Sequence, residues 1–390
     1  PSLFVAFLGV LQVGAIPIPL NPKSTKSSMS YYVSDSGASA VIGESESLCV
    51  LLSATEINQS GLCLIVEDIY SQSIPGDFLS LRKLVSNERS DEYAVLRDSD
   101  ITFMQYTSGT TGNPKAVMHN GAGMLAHANT YGNSILNIAE NDIVYSVAKV
   151  FFGFGLGNSL FLPFYHNLSA VIDSRWPTVE LIVENLKSYR PSVFFSVPKI
   201  YSELLEFSEE LEHFLNNNLR IISGGSPLPS SLHTSWKQQF GLTIYDGVGT
   251  TEMGHIFLTT LYQHSKGICV PGYEVKLVDI KYDNKSRSKR GVSLVKGPSQ
   301  SLGYYKNKER TMEKFDSDGW YRTGDIFSQD EKGFYKFESR EDDLFKVKGR
   351  WVCPNEMESF VLSNFKTIVD TALIKTNQSL TDEELGPCTK

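Results

Sequence analysis

The sequence predicts an α/β fold, with helix-flanked β-sheets leading into a smaller β-rich part. Three observations predict it. Short apolar runs alternate with helical stretches for the first three hundred or so residues, which indicates sheets with helices on their faces. From residue 268 to 340 the texture changes to short alternating strands separated by Gly, Asp and Lys turns. The chain has 390 residues, 41% of them hydrophobic, enough to bury a large core divided into two or three units.

The elements follow in order. The stretch Leu3–Leu20 is strongly apolar, but Gly9, Gln12, Gly14, Pro17 and Pro19 interrupt it and no basic region precedes it. It reads as a buried helix to Val13, closed by Gly14, then a buried strand over Ala15–Ile18 rather than a membrane span. Ser39–Ile42, Leu62–Val66, Ala170–Ile172, Ser192–Ser196 and Arg220–Ser223 read as short buried strands. Val179–Ser188 and Pro198–Phe207 read as helices between them. In the β-rich part, Tyr273–Asp279 and Gly291–Val295 are strands, and Lys281–Arg290 is a solvated hairpin loop. A boundary near Asp342 divides residues 1–341 from 342–390. The second part holds a helix, Pro354–Phe365, and a strand, Asp370–Lys375. A domain rarely begins inside a helix, so residues are expected before Pro1, and the small domain 342–390 is expected to be incomplete.

A net charge of −8 argues against a general nucleic-acid binder, because phosphate backbones reward basic surfaces. The five cysteines are scattered, with no CxxC or Cys/His spacing, so neither a disulfide framework nor a zinc site is indicated. A reducing cytoplasm is the expected location. The 22 Phe and 18 Tyr suit an aromatic pocket or an ordinary core.

The most informative stretch is Tyr106-Thr107-Ser108-Gly109-Thr110-Thr111-Gly112-Asn113-Pro114-Lys115. Its glycines let backbone N–H groups approach an anion, its hydroxyls add donors, and Lys115 adds positive charge. This suits a triphosphate cradle, although the Walker spacing is not met. The plain alternative is a polar turn.

This run resembles the signature of the acyl-adenylate-forming superfamily, which includes acyl-CoA synthetases and nonribosomal adenylation domains. Ala116 stands where the family usually has Gly. The resemblance implies Thr107, Ser108, Gly109, Thr110, Thr111 and Gly112 as nucleotide-binding, with Lys115 catalytic. Gly247-Val248-Gly249-Thr250-Thr251-Glu252 resembles a second family element, implying that Thr251 meets the α-phosphate and Glu252 holds Mg²⁺. A glutamate beside a triphosphate needs a cation between them, since like charges repel. The resemblance implies that Asp246 and Gly247 belong to the same nucleotide site. Trp320-Tyr321-Arg322-Thr323-Gly324-Asp325 resembles the ribose-binding element, with Asp325 accepting from the ribose hydroxyls and Arg340 as a second contact. Asp342 matches the hinge of the small C-terminal domain, and Lys348-Gly349 a loop on the CoA side. The bland readings are a solvated carboxylate for Glu252, a common turn for Thr-Gly-Asp and a surface charge for Lys348.

Lys149-Val150-Phe151-Phe152-Gly153-Phe154-Gly155-Leu156-Gly157-Asn158 resembles the benzoate–CoA and anthranilate–CoA ligase branch. So do Gly254-His255-Ile256-Phe257 and the run Arg340–Trp351. By that resemblance Phe152, Gly153, Phe154, Gly225, Val248, Gly249, His255 and Ile256 surround a small aromatic acid. Aromatic and small residues make a flat slot, and glycines leave room for an ortho substituent. Core packing is the alternative for the phenylalanines, and a satisfied structural histidine for His255.

The implied reaction has two steps. A carboxylate attacks the α-phosphate of ATP to give an acyl-adenylate, and a CoA thiol then displaces AMP. Positioning and charge stabilisation carry the chemistry. The family's late Gly-Lys lysine has no match in residues 376–390, so the chain as written is expected to bind ATP and acid but adenylate poorly. The partners implied are ATP, Mg²⁺, coenzyme A and the acid, with no nucleic acid and no membrane span, in a monomer or homodimer. Loading of a carrier-protein thiol, a non-catalytic nucleotide-binding relative and a medium-chain acid as substrate remain as alternatives.

Overall fold

The computed structural model of the chain describes residues 2–53, 62–68, 78–87, 93–109, 112–215, 218–260, 267–283, 288–347, 350–352, 354–365, 368 and 371–373. It is mixed α/β, as expected. A small parallel sheet holds β1 (Ala40–Gly43), β2 (Cys63–Val66) and β3 (Leu79–Ser80). The hairpin of β4 (Phe103–Gly109) and β5 (Gly112–His119) follows.

The large sheet starts with β6 (Ile143–Ser146), β7 (Ser169–Val171), β8 (Val193–Ser196), β9 (Arg220–Ser223) and β10 (Ile244–Gly249). These five run parallel in the order β7-β6-β8-β9-β10. Its second half holds β11 (Ile256–Thr260), β12 (Gly267–Cys269), β13 (Glu274–Asp283) and β14 (Ser288–Lys296). Then come β15 (Gly303–Tyr304), which joins the β4–β5 hairpin instead, and β16 (Tyr321–Asp330) and β17 (Tyr335–Arg340). β10 pairs parallel to β9 on one side and antiparallel to β11 on the other. The β-rich part is therefore continuous with the parallel sheet, in one eleven-stranded sheet. One core runs through both halves and includes Val144, Phe195, Tyr245, Phe257, Val295 and Phe327.

Local sequence explains the elements. β8 is buried at every position, which is why it reads as an unbroken apolar run. The helix Val179–Tyr189 is capped by Thr178, whose hydroxyl accepts from Leu181 N–H at 3.3 Å, and buries Leu181, Ile182 and Leu186. Arg190 closes it at φ 46°.

Four expectations need correction. The first helix spans Ser2–Gln12 and closes at Gly14 (φ 75°), with Ala15 N–H bonded to Val10 O. It buries Phe4 and Phe7 but leaves Leu3 and Val5 exposed, so it is buried on one face only. Ala15–Ile18 forms no strand: Pro17 and Pro19 lack the N–H that a ladder needs, and Pro17 O accepts one bond, from Met104 N–H. The Lys281–Arg290 loop is shorter than expected, because Lys281–Asp283 pair with Ser288–Arg290. Within Asp370–Lys375 the described residues 371–373 are not in a strand; Leu373 N–H donates to Glu358 Oε1 instead.

The helix Pro354–Asn364 is present, after a two-stranded ladder of β18 (Phe345–Val347) and β19 (Arg350–Val352). Among the described residues no helix is long and apolar enough to cross a membrane.

Candidate active site

β4 and β5 pair Thr107 with Lys115 and Gly109 with Gly112, with an irregularity between Thr107 and Gly109. The apex residues Thr110 and Thr111 lie outside the described residues, as do Lys348 and Gly349. Of Ser108, Gly109 and Gly112 the backbone path is described. The helix Lys26–Ser36 braces the hairpin from behind. Tyr31 Oη donates to Pro114 O at 2.9 Å and Tyr106 Oη to Asp35 Oδ2 at 2.7 Å. Burial, and then the bond to Asp35, raise the Tyr106 pKa, so that hydroxyl stays a donor.

Glu252 lies in the tight turn Thr251–Met253 that follows β10. Thr250 Oγ1 accepts from Met253 N–H at 3.3 Å, and Gly254 turns the chain at φ 69°. Three ties fasten this turn to the hairpin. Ser301 N–H donates to Glu252 O at 2.8 Å. Two residues further on, β15 pairs with β5, Gly303 opposite Met118 and Tyr304 opposite Val117. Tyr304 Oη then reaches back to Glu252 Oε1 at 2.6 Å. His119, at the end of β5, lies near the Thr251 backbone and stacks on Phe103 at 4.6 Å. Burial lowers the His119 pKa to about 4, so the ring is neutral. The Glu252 charge also acts on Tyr321, and burial keeps both tyrosines protonated. The Glu252 residue is 8% exposed.

Sequence reasoning missed Tyr304, Tyr321 and His119. Tyr321 lies inside the Trp320–Asp325 motif, which was its one available signal.

Asp325 and Arg340 face each other across β16 and β17, and Arg340 Nη1 donates to Asp325 Oδ1 at 2.8 Å. Gly324, at φ 79°, makes the bend that Thr323 completes by accepting from Asp325 N–H at 2.9 Å. Burial raises the Asp325 pKa; Arg340 opposes that rise, and Glu252 adds to it through its charge. Asp325 and Glu252 thus lie within electrostatic range of each other. Asp342 is exposed in the turn after β17. Asp246, on β10, has a carboxyl pushed up to about 7 by burial, against backbone N–H bonds from Leu228 and Gly247.

The third cluster gathers around His255. Its Nε2 is 2.9 Å from Asn158 Oδ1, and its ring stacks on His127 at 4.2 Å and on Phe154 at 5.8 Å. Burial holds His255 well below the usual imidazole pKa. His127 lies where the helix Gly121–His127 passes into π-helical turns, and its Nε2 contacts Gly157 O, the start of a second such segment. Gly157 and Gly249 are both pressed against His255, where a Cβ would come within 3 Å. Gly247 is pressed likewise against Ile256. Phe154 lies against Gly224, where a Cβ would stand 3.1 Å from the ring, so Phe154 already fills the space beside that glycine. Gly153 abuts Gln105 and Gly254 O, and Gly225, at φ 85°, faces Val197. Val248 packs against the core that contains Ile256. Phe152 stands apart: it is 58% exposed and its ring packs on Phe151.

The family described as AMP-binding enzyme matches residues 1–305. An anthranilate–CoA ligase of Pseudomonas aeruginosa is 38% identical over 383 residues, covering 96% of this chain and 72% of that protein. The crystal structure of a benzoate CoA ligase from Burkholderia xenovorans LB400 superimposes with a TM-score of 0.83 at 31% identity, covering 97% of this chain and 74% of the other. An anthranilate CoA ligase solved in complex with anthranoyl-AMP gives a TM-score of 0.83 at 27% identity, covering 95% and 71%. With a family match over most of its length and relatives of this kind, the chain belongs to the AMP-binding enzyme family, among its acid–thiol ligases.

Proposed function

We propose that the chain activates a small aromatic carboxylic acid of the benzoate or anthranilate type with ATP and passes the acyl group to the thiol of CoA. The observation that carries this is the β5–β15 pairing with its Tyr304–Glu252 bond, which holds the hydroxyl-rich hairpin of Lys115 beside a buried carboxylate. Asp325 and Arg340 lie within electrostatic range of that carboxylate. The hairpin takes the β- and γ-phosphates, Asp325 and Arg340 take the ribose, and Asp246 and Gly247 lie along the same cleft. Thr251 meets the α-phosphate. The acid lies among Gly153, Phe154, Val248, Gly249, His255 and Ile256, with Gly225 beyond and Phe152 at the rim. The chain divides near Asp342, its hinge.

Among the described residues no three His, Cys, Asp or Glu side chains converge. A lone Glu252 fits Mg²⁺, which binds through one or two carboxylates, substrate phosphates and water. When bound, the ion neutralises charge on the phosphates. The acid carboxylate attacks the α-phosphorus and pyrophosphate leaves. The CoA sulfur then attacks the acyl carbonyl and AMP leaves. Lys115 stabilises the charge on the departing pyrophosphate.

The test is a thermal-shift panel of benzoate, anthranilate, hydroxybenzoates and medium-chain alkyl acids, each with ATP and Mg²⁺. Pyrophosphate exchange follows for each acid that shifts the midpoint. The aromatic acids are expected to stabilise the chain and support exchange. A response to alkyl acids alone overturns the aromatic assignment. Thioester formation with CoA, against a carrier-protein thiol, decides the acceptor.

A further inference from the structure

The short helix Lys308–Lys314 carries three cations, the exposed Lys308 at its start and Arg310 and Lys314, which lie one turn apart and therefore on one face. That face is turned to the cleft. Arg310 interacts electrostatically with Tyr304, which holds Glu252, and with Tyr321. Lys314 interacts with Glu252 and Asp342, and with Asp325.

Arg310 and Lys314 differ in how they are satisfied. Arg310 Nη1 bonds both oxygens of Glu313 at 2.5 Å. Lys314 makes no hydrogen bond or ion pair among the described residues, although acids surround it. It is half-buried, and a desolvated ammonium without a partner is unfavourable. Its Nζ lies 3.7 Å from where a Cβ on Gly324 would stand, so it occupies the open side of the residue that precedes Asp325. A surface lysine balancing the end of a helix would reach into water instead.

We infer that Lys314 binds the α-phosphate of the nucleotide, as a second cation beside Asp325, in addition to Lys115 on the hairpin. This rests on the reading of the cleft as an ATP site. The phosphate esterified to the ribose is the one nearest Asp325, and a phosphate there gives the ammonium its missing partner, while the ammonium offsets the repulsion between that phosphate and the Asp325 and Glu252 carboxylates. Because the α-phosphate stays with AMP after pyrophosphate leaves, Lys314 acts on AMP and on the adenylate, and Lys115 on pyrophosphate.

The test is calorimetric titration of AMP, pyrophosphate and benzoate, each alone, into the chain and into its Lys314→Met and Lys314→Arg variants, with melting temperatures recorded for all three. A charge-assisted bond to phosphate predicts about tenfold or greater loss of AMP affinity in Lys314→Met. Pyrophosphate affinity is expected to be unchanged, and Lys314→Arg to retain most AMP binding. Undiminished AMP binding by a folded Lys314→Met overturns the inference. So does a loss confined to pyrophosphate, or one confined to benzoate, which would assign the lysine to the acid carboxylate. Failure of the unaltered chain to bind AMP overturns the ATP-site reading, and this inference with it.

Discussion

The Tyr304 hydroxyl donates to Glu252 Oε1 at 2.6 Å and so fixes a buried carboxylate from a strand 52 residues away in sequence. Tyr304→Phe removes one donor and leaves that oxygen short of a partner, at a cost of about 1–3 kcal/mol in stability. If Glu252 holds Mg²⁺, the same change frees its orientation and raises the Mg²⁺ concentration for half-maximal pyrophosphate exchange by about tenfold. A magnesium titration at saturating ATP checks this; an unchanged midpoint would remove Glu252 from the metal.

Asp246 gives a pH signature. Burial pushes its carboxyl from 3.8 to about 7, so the folded chain takes up a proton there more readily than the unfolded chain. Stability therefore falls as pH rises from 3.8 to about 7, by about 4 kcal/mol in total from this group. Asp246→Asn keeps an acceptor for the Leu228 and Gly247 N–H groups and has no proton to lose. Urea midpoints from pH 4.5 to 8 are expected to fall less steeply in the variant than in the parent chain.

The pair Asp325–Arg340 behaves differently, because there the charge is compensated. Asp325 has a side chain 5% exposed, while Arg340 is 45% exposed. Arg340→Met leaves the carboxylate uncompensated, a loss of about 3 kcal/mol at neutral pH, at the lower end for buried pairs because Arg340 is half in water. Without Arg340 the Asp325 pKa, already raised, rises further. The deficit is thus largest at pH 8 and shrinks as the medium becomes acid enough to protonate Asp325. Denaturation of both chains at pH 5 and pH 8 tests the sign, and KM for ATP rises if Asp325 binds ribose.

Much of this site was legible because its chemistry lies in contiguous stretches. The hydroxyls, glycines and lysine of Tyr106–Lys115 point to the proposed phosphate loop without any tertiary information, and Thr323-Gly324-Asp325 lies next to its partner strand. Tyr304 and His119 were not legible. Their roles depend on β15 pairing with β5, so that Gly303 opposes Met118, and local pattern does not specify so distant a register. Ala15–Ile18 misled for the opposite reason. Its apolar pattern suits a strand, but two prolines remove the donors. The Phe-Phe-Gly-Phe run also hid a split: Phe154 enters the helix that starts at Gly153 and turns inward, while Phe152 stays outside that helix and exposed.

Gly224 limits what Phe154 can do, and that makes the acid pocket testable. A Cβ on Gly224 would stand 3.1 Å from two atoms of the Phe154 ring, close enough that the ring must shift by a few tenths of an ångström. Phe154 in turn stacks on His255 and meets Phe195 edge-on at 5.8 Å, so it has little room to move. Gly224→Ala therefore presses Phe154 toward His255. If the acid lies beside these rings, kcat/KM for ortho-substituted benzoates falls by about tenfold more than for benzoate, an effect of the size one misplaced methyl group has in an apolar pocket. KM for ATP is expected to be unchanged, because the atoms nearest a Cβ on Gly224 are those of the Phe154 ring. Equal losses for all acids, or a change in ATP binding, would move the acid away from Phe154.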